Sequence, residues 1–230
     1  MLADALSETL QSLDNTAKSA NRPVPRLLAV SKTQPAEAVA ALAAVGQCAF
    51  GENYVQEAQI KARALAALNL EWHLIGHLQS NKAESAAEVF DWIQTVDRHK
   101  LVVALSRYRA ADCPPLNVLI QVNIDDEASK HGCRPEEISA LAAAIAAEPR
   151  LSLRGLMAIP APHADPGQQR TAFRRMKTLF DELAAHHPQI DTLSMGMSGD
   201  FPLAIAEGAT MVRIGTALFG ARAPKPSPTA

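Results

Sequence analysis

Arg26-Leu-Leu-Ala-Val-Ser-Lys-Thr-Gln-Pro-Ala-Glu-Ala-Val-Ala-Ala-Leu-Ala-Ala-Val-Gly46 holds the fold in one repeating unit. Residues 26–31 form an apolar run of strand type. Pro35 then opens a helix to about Val45, and Gly46 stops it, the usual asymmetry of helix ends. The alternation recurs outward from this unit. Residues 48–50 read as a strand and 54–68 as a helix; 71–75 is a third strand, with a helix from near Asn81. Residues 91–95 and 98–109 make the next pair, and 116–124, rich in Leu, Val and Ile, pairs with a helix over 135–147. The last strands, 151–157, 192–195 and 210–214, alternate with helices over 167–185 and 200–207. Strands alternating with helices indicate βαβ units and a parallel sheet. Eight such units in about 200 residues indicate an α/β fold, a closed (β/α)8 TIM barrel. Residues 1–20 then form an extra N-terminal helix. The barrel is expected over 1–222 as one domain, with a flexible tail over 223–230 that carries three Pro in eight residues.

Composition agrees with that reading and excludes several classes. A 230-residue chain allows one or two domains, and barrels of this size fold as one. The chain is 48% apolar but only 4% aromatic, and it contains 43 Ala. Ala is the best helix former and a small filler, so close-packed helices are expected. Net charge is −2, which gives no global field to attract nucleic acid or an anionic membrane. The three cysteines, Cys48, Cys113 and Cys133, are odd in number and lack C-x-x-C spacing. They exclude a disulfide framework and a zinc knuckle, and read as buried or semi-buried free thiols. The first 20 residues lack the basic and apolar regions of a signal peptide, and no apolar run approaches 18 residues. A soluble, cytoplasmic protein is expected. No G-x-G-x-x-G follows the first strand and no P-loop occurs, which weighs against a dinucleotide or nucleotide triphosphate site.

The active site of such a barrel lies at the C-terminal ends of its strands. The residues there are Ser31 and Lys32, Gly51 to Asn53, Gly76 and His77, Asn123 with Asp125 and Asp126, Gly196 to Gly199, and Arg213 with Gly215 and Thr216. Lys32 ends a buried apolar run. Desolvation there would lower its pKa and free the amine for Schiff-base chemistry, though a snorkelling surface lysine is an equal reading of position alone. The small-residue loops Met195-Gly-Met-Ser-Gly199 and Ile214-Gly-Thr216 follow strands seven and eight, where phosphate sites of this barrel usually sit. Their backbone N–H groups, the hydroxyls of Ser198 and Thr216, and the starts of the following helices would cradle an anion; the plainer reading is two tight turns. A reactive lysine opposite a phosphate cradle suggests pyridoxal 5′-phosphate. Arg213 could contact the ring nitrogen or, alternatively, pair with a carboxylate such as Glu207.

At these residues the chain resembles the pyridoxal phosphate homeostasis protein family, which itself resembles the N-terminal barrel of alanine racemase. The matching stretches are Ala29-Val-Ser-Lys-Thr33, Phe50-Gly-Glu-Asn-Tyr-Val-Gln-Glu57, Trp72-His-Leu-Ile-Gly76 with Leu78-Gln-Ser-Asn-Lys82, Val122-Asn-Ile124, Ser129-Lys130 ahead of Gly132, Arg154-Gly-Leu-Met157, Met195-Gly-Met-Ser198 and Val212-Arg-Ile-Gly-Thr216. They span nearly the whole chain. The resemblance implies a fold-type III barrel in which Lys32 holds the cofactor as a Schiff base. It implies phosphate contacts at Ser198, Gly215 and Thr216, a ring-nitrogen contact at Arg213, and Asn53 near the ring. His77 has no assigned role.

Two functions fit such a barrel. One is a non-catalytic carrier or reservoir that steadies intracellular pyridoxal phosphate (vitamin B6) and passes it to apo-enzymes. The other is a fold-type III racemase or lyase. Racemisation needs a second acid/base across the ring. The barrel is expected to use the whole chain, leaving no second domain to supply one. Of the two tyrosines, Tyr108 falls on an outer helix and Tyr54 reads as helix-start packing. The expected protein is therefore a binder and not an enzyme, with no nucleic acid or membrane partner. Nothing in the chain marks a subunit interface, so a monomer is expected.

Overall fold

The computed structural model describes residues 1–127, 130–161 and 165–220. Among them, strands β1 (Arg26–Val30), β2 (Ala49–Glu52), β3 (Glu71–Leu74), β4 (Trp92–Val96), β5 (Leu116–Gln121), β6 (Leu151–Met157), β7 (Thr192–Met197) and β8 (Met211–Ile214) pair in sequence order. Every pairing is parallel, and β8 pairs with β1 from Arg26↔Met211 to Ala29↔Ile214, so the barrel closes without an edge. The helices are α1 (Leu2–Ser19), α2 (Ala36–Ala43), α3 (Val55–Ala64), α4 (Ala83–Val89), α5 (His99–Tyr108), α6 (Ile138–Ala146), α7 (Pro166–His186), α8 (Phe201–Ala206) and α9 (Thr216–Phe219). The expected α/β barrel with an added first helix is the observed fold.

Strand alternation sorts the apolar residues into two regions. Leu27 and Ala29 of β1 join the large shell core beneath the helices, with Val39 and Leu42 of α2. Leu28 and Val30 belong instead to a small cluster with Ala49, Ile75 and Met211. A second small cluster holds Trp92, Leu119 and Met157. Buried alanines at 58, 83, 86, 87, 142, 172 and 204 let the helices lie close on the strands. Helix α1 packs on α2, α8 and α9 and so covers the seam where β8 meets β1.

Several expected boundaries move. β5 ends at Gln121, not 124: the Val122 N–H still donates to the Met157 carbonyl of β6 at 2.9 Å, but Val122 forms only an isolated bridge, to Cys133. Asn123 then turns the chain, with its side chain bonded to the backbone of Glu127 at 2.9 and 3.2 Å. β7 continues to Met197, which pairs with Arg213, so the loop after it is shorter than the sequence suggests. Cys48 and Cys113 are exposed, contrary to the expectation of covered thiols. Both stand on short connecting segments outside the core, between α2 and β2 and between α5 and β5. Only Cys133 is buried, and burial pushes its thiol up to about 12. The expected end of the barrel at 222 and the tail over 223–230 lie outside the described residues, as does Ser129. No described helix is long and apolar enough to cross a membrane.

Candidate cofactor site

The mouth of the barrel is built around the turn that follows β1. Ser31 is fully buried, and its hydroxyl donates to Glu52 Oε1 at 2.6 Å. Lys61, from α3, is also buried. Its ammonium donates to the Ser31 carbonyl (2.7 Å), Glu52 Oε1 (2.8 Å) and Glu57 Oε1 (2.6 Å). Glu57 Oε1 also accepts the Thr33 backbone N–H at 2.5 Å. The backbone on both sides of Lys32 is therefore tied to α3 and β2. Thr33 has φ 65°, a left-handed conformation that a β-branched residue rarely adopts, which stores strain beside Lys32. Burial raises the Glu52 carboxyl above its ordinary value, and the bonds from Lys61 and Ser31 oppose that rise.

Lys32 lines a cavity of about 250 Å³ together with Asn53, Ser198, Arg213, Gly215 and Thr216. All six residues singled out in the sequence thus border one space. Val30, Ile75, Ile159 and Phe219 supply apolar walls. Asn53 Oδ1 is buried, with no hydrogen-bond partner among the described residues. An orphaned acceptor costs free energy unless a ligand donor completes it. That acceptor, the lysine and the hydroxyls suit a polar, anionic, aldehyde-bearing ring.

Arg213 is buried inside the barrel. One guanidinium nitrogen donates to Ser194 Oγ (2.7 Å) and another to the Ala158 carbonyl (2.8 Å). It does not pair with Glu207, which instead holds Arg170 (3.0 Å) and Arg174 (3.2 Å). The polar column continues inward. Ser194 Oγ donates to Gln94 Oε1 (2.7 Å), and Gln94 Nε2 meets His73 Nδ1 at 2.9 Å. The amide must donate there, so Nδ1 accepts and Nε2–H donates to Glu71. Glu71 in turn pairs with Arg26 at 2.9 Å, at the opposite end of the barrel. All donors in this column point the same way, from Arg213 towards Glu71. Burial holds His73 below its ordinary value, which keeps it neutral, as the column requires. Burial also lowers Arg213 to about 10, so it stays charged at neutral pH.

The anion end differs in detail from expectation. Both following helices are short: α8 has six residues and α9 a single turn of four. Their dipoles are correspondingly small, so local N–H groups and hydroxyls matter most. Thr216 and Ala217 open α9, where helix geometry leaves N–H groups without intrahelical partners. Gly215 has φ −120° and ψ −67°, on the right-handed side, so left-handed geometry does not explain it. Asp200 sits close by but is occupied: it accepts the Met197 N–H (2.6 Å) and the Gln169 amide (2.8 Å).

Other shortlisted residues fall elsewhere. Asp125 accepts the Ala161 N–H at 2.6 Å, a loop bond. Asn123 and His77 line a second cavity that shares Asn53, Ile75 and Ile159 with the first. Tyr54 is 63% exposed, so it neither packs at the start of α3 nor lines the first cavity. The sequence reading passed over Ser194, Gln94 and His73. Their signal was present: polar residues at inward positions of apolar strands. It also passed over Lys61 and Glu57, whose spacing of four is that of an ordinary helix-surface pair.

Fold and site together define a (β/α)8 barrel whose mouth gathers a lysine, a buried arginine and hydroxyl groups around one cavity. Residues 3–223 match the family described as alanine racemase, N-terminal domain. The pyridoxal phosphate homeostasis protein of Escherichia coli is 56% identical over 199 residues, covering 85% of each chain. That of Pseudomonas aeruginosa is 51% identical over 223 residues, covering 96% of each. Among solved structures, PipY of Synechococcus elongatus with pyridoxal phosphate bound superposes with TM-score 0.83 at 37% identity, covering 96% of this chain and all of that one. The chain belongs to the alanine racemase N-terminal-domain family and, within it, to the pyridoxal phosphate homeostasis proteins.

Proposed function

We propose that this chain binds pyridoxal 5′-phosphate in the Lys32 cavity and serves as a non-catalytic carrier or reservoir in cytoplasmic vitamin B6 homeostasis. The observation that carries this reading is the convergence of Lys32, Asn53, Ser198, Arg213, Gly215 and Thr216 on one cavity. The name of the relatives and the ligand of PipY support it.

When bound, the cofactor supplies an aldehyde and an electron-withdrawing ring. Lys32 offers the amine for that aldehyde, held in place by the Lys61 and Glu57 anchors. Ser198, Gly215 and Thr216 would hold the phosphate, and Asn53 Oδ1 would accept from the ring side. Arg213 would face the ring nitrogen. It keeps its own protons at neutral pH and would leave that nitrogen unprotonated, which would weaken the ring as an electron sink. That suits retention and release better than turnover. The protein acts as a monomer and passes its cofactor to apo-enzymes.

The test uses the purified full chain incubated with pyridoxal phosphate. A near-visible absorption band should appear, and borohydride should fix the label on Lys32, as read by peptide mass mapping. Lys32→Ala should lose both. Label fixed on another lysine with Lys32 untouched would refute the site. Steady racemase or lyase turnover on amino acids, abolished by Lys32→Ala, would replace the carrier by an enzyme.

A further inference from the structure

Two histidines that line the second cavity, His77 and His131, stand with Asp97 in a side-chain cluster that the proposed cofactor site does not use. His77 follows β3, Asp97 follows β4, and His131 lies in the segment after β5. One donor atom from each lies within 4.8 Å of the other two. The two imidazoles stack, with ring centroids 3.7 Å apart and 13° between planes. His77 Nδ1 lies 3.9 Å from Asp97 Oδ2. We propose that His77, Asp97 and His131 form a binding site for a divalent transition metal ion of the Zn2+ type.

The donor chemistry selects this class. Two imidazoles and one carboxylate suit zinc and its neighbours, whereas calcium and magnesium prefer oxygen alone. Zinc–ligand bonds of about 2.1 Å place tetrahedral ligand atoms about 3.4 Å apart. The cluster must therefore contract by at most about 1.4 Å between any two donors, and its rings must turn out of the stack, so that their lone pairs converge. Imidazole χ2 is a soft torsion, and both histidines are partly open to solvent, so this motion is accessible. A water would complete the coordination.

The backbone beside both histidines is pinned, and the Asp97 carboxylate is held by its neighbour. A Cβ on Gly76 would come within 2.2 Å of the Asn53 carbonyl, so only glycine lets the chain pass there into His77. The Gly76 carbonyl also accepts from Thr95 Oγ1 at 2.9 Å. Gly132 has φ +123°, and a Cβ on it would lie 2.6 Å from the Asn123 nitrogen. Beside it, the His131 carbonyl accepts from the Gln121 amide at 3.1 Å. Arg98 bonds the other carboxylate oxygen, Asp97 Oδ1, at 2.5 Å and is itself tied to the Leu78 carbonyl at 2.8 Å. This holds Oδ2 towards the histidines, as outer partners orient ligands in metal sites. Lys130, also on the cavity wall, has its charge met by Glu127 at 2.8 Å.

The test is a titration of cofactor-free full-length chain with Zn2+ against a chromophoric chelator, with Co2+ absorption as a second readout. The expected result is a single ion per chain and Co2+ bands of a four-coordinate site. His77→Ala and His131→Ala should each weaken binding by about tenfold or more. Asp97→Asn should do likewise, while Cys48→Ser and Cys113→Ser leave it unchanged. Circular dichroism of each variant verifies the fold, and Asp97→Asn keeps the size of the one donor side chain that is mostly covered. Absence of stoichiometric binding in the parent chain, binding unaffected by His131→Ala, or binding lost with the exposed cysteines would each overturn the assignment. None of these readouts depends on pyridoxal phosphate.

Discussion

The turn that carries Lys32 is fixed on both sides by charged groups of α3. Lys61 is the centre of that arrangement: its one ammonium is shared by the carboxyl groups of Glu52 and Glu57 and fixes the Ser31 carbonyl. Replacing it with Met leaves Glu52 buried without its cation and frees Glu57, which holds Thr33. Breaking a buried pair from one side costs about 3–5 kcal/mol. Lys61→Met should therefore lower the unfolding free energy by that amount, read as a lower urea midpoint, and speed the loss of bound cofactor, while Glu52→Gln in the same chain should restore part of the stability. A loss below about 1 kcal/mol, within the usual range of a surface pair, would show that the pair is no anchor. This role was illegible beforehand because a Glu and a Lys four residues apart look the same whether the helix face is wet or buried. The place of Lys32 at the end of an apolar run was legible, but position alone left a snorkelling surface lysine an equal reading.

At the level of elements, β3, β4, β7 and β8 place His73, Gln94, Ser194 and Arg213 in one column that separates two small apolar clusters. The column sets a pH dependence. Unfolded, the His73 imidazole takes a proton near 6.5; folded and buried, it takes one only at lower pH. In that window the unfolded state binds more protons, so stability is full above about 6.5 and falls as pH drops. The slope from this one group is at most about 1.4 kcal/mol per pH unit. Thermal melts from pH 7.5 to 5.5 should show this loss in the parent chain and a smaller one in His73→Gln; equal slopes would exclude His73 as the source. Each strand was readable as an element. The column was not, since it joins residues from Arg26 to Arg213 that meet only when the barrel closes.

For the whole molecule, closure also joins the ends of the chain. α1, the helix before the barrel, packs on α8 and α9, and α9 carries Thr216 into the cavity. Leu13 of α1 is fully buried in the shell core. Leu13→Ala should cost about 2–5 kcal/mol, seen as a lower midpoint in a single cooperative unfolding transition. A separate early transition for α1 would mean that this helix is not part of the closed unit. By itself, the sequence determined the alternating elements, their number, their order and the lysine at the first strand end. Period-two and helical patterning, Pro and Gly boundaries and strand-end position are local properties, and each is written in a few consecutive residues. Only the tertiary structure decided which partner each polar side chain has: that Arg213 meets Ser194 and not Glu207, that Lys61 lies behind Lys32, and that His77 stacks on His131. Those pairings depend on barrel register and on which side of a strand or helix is covered, and no short stretch of chain encodes either.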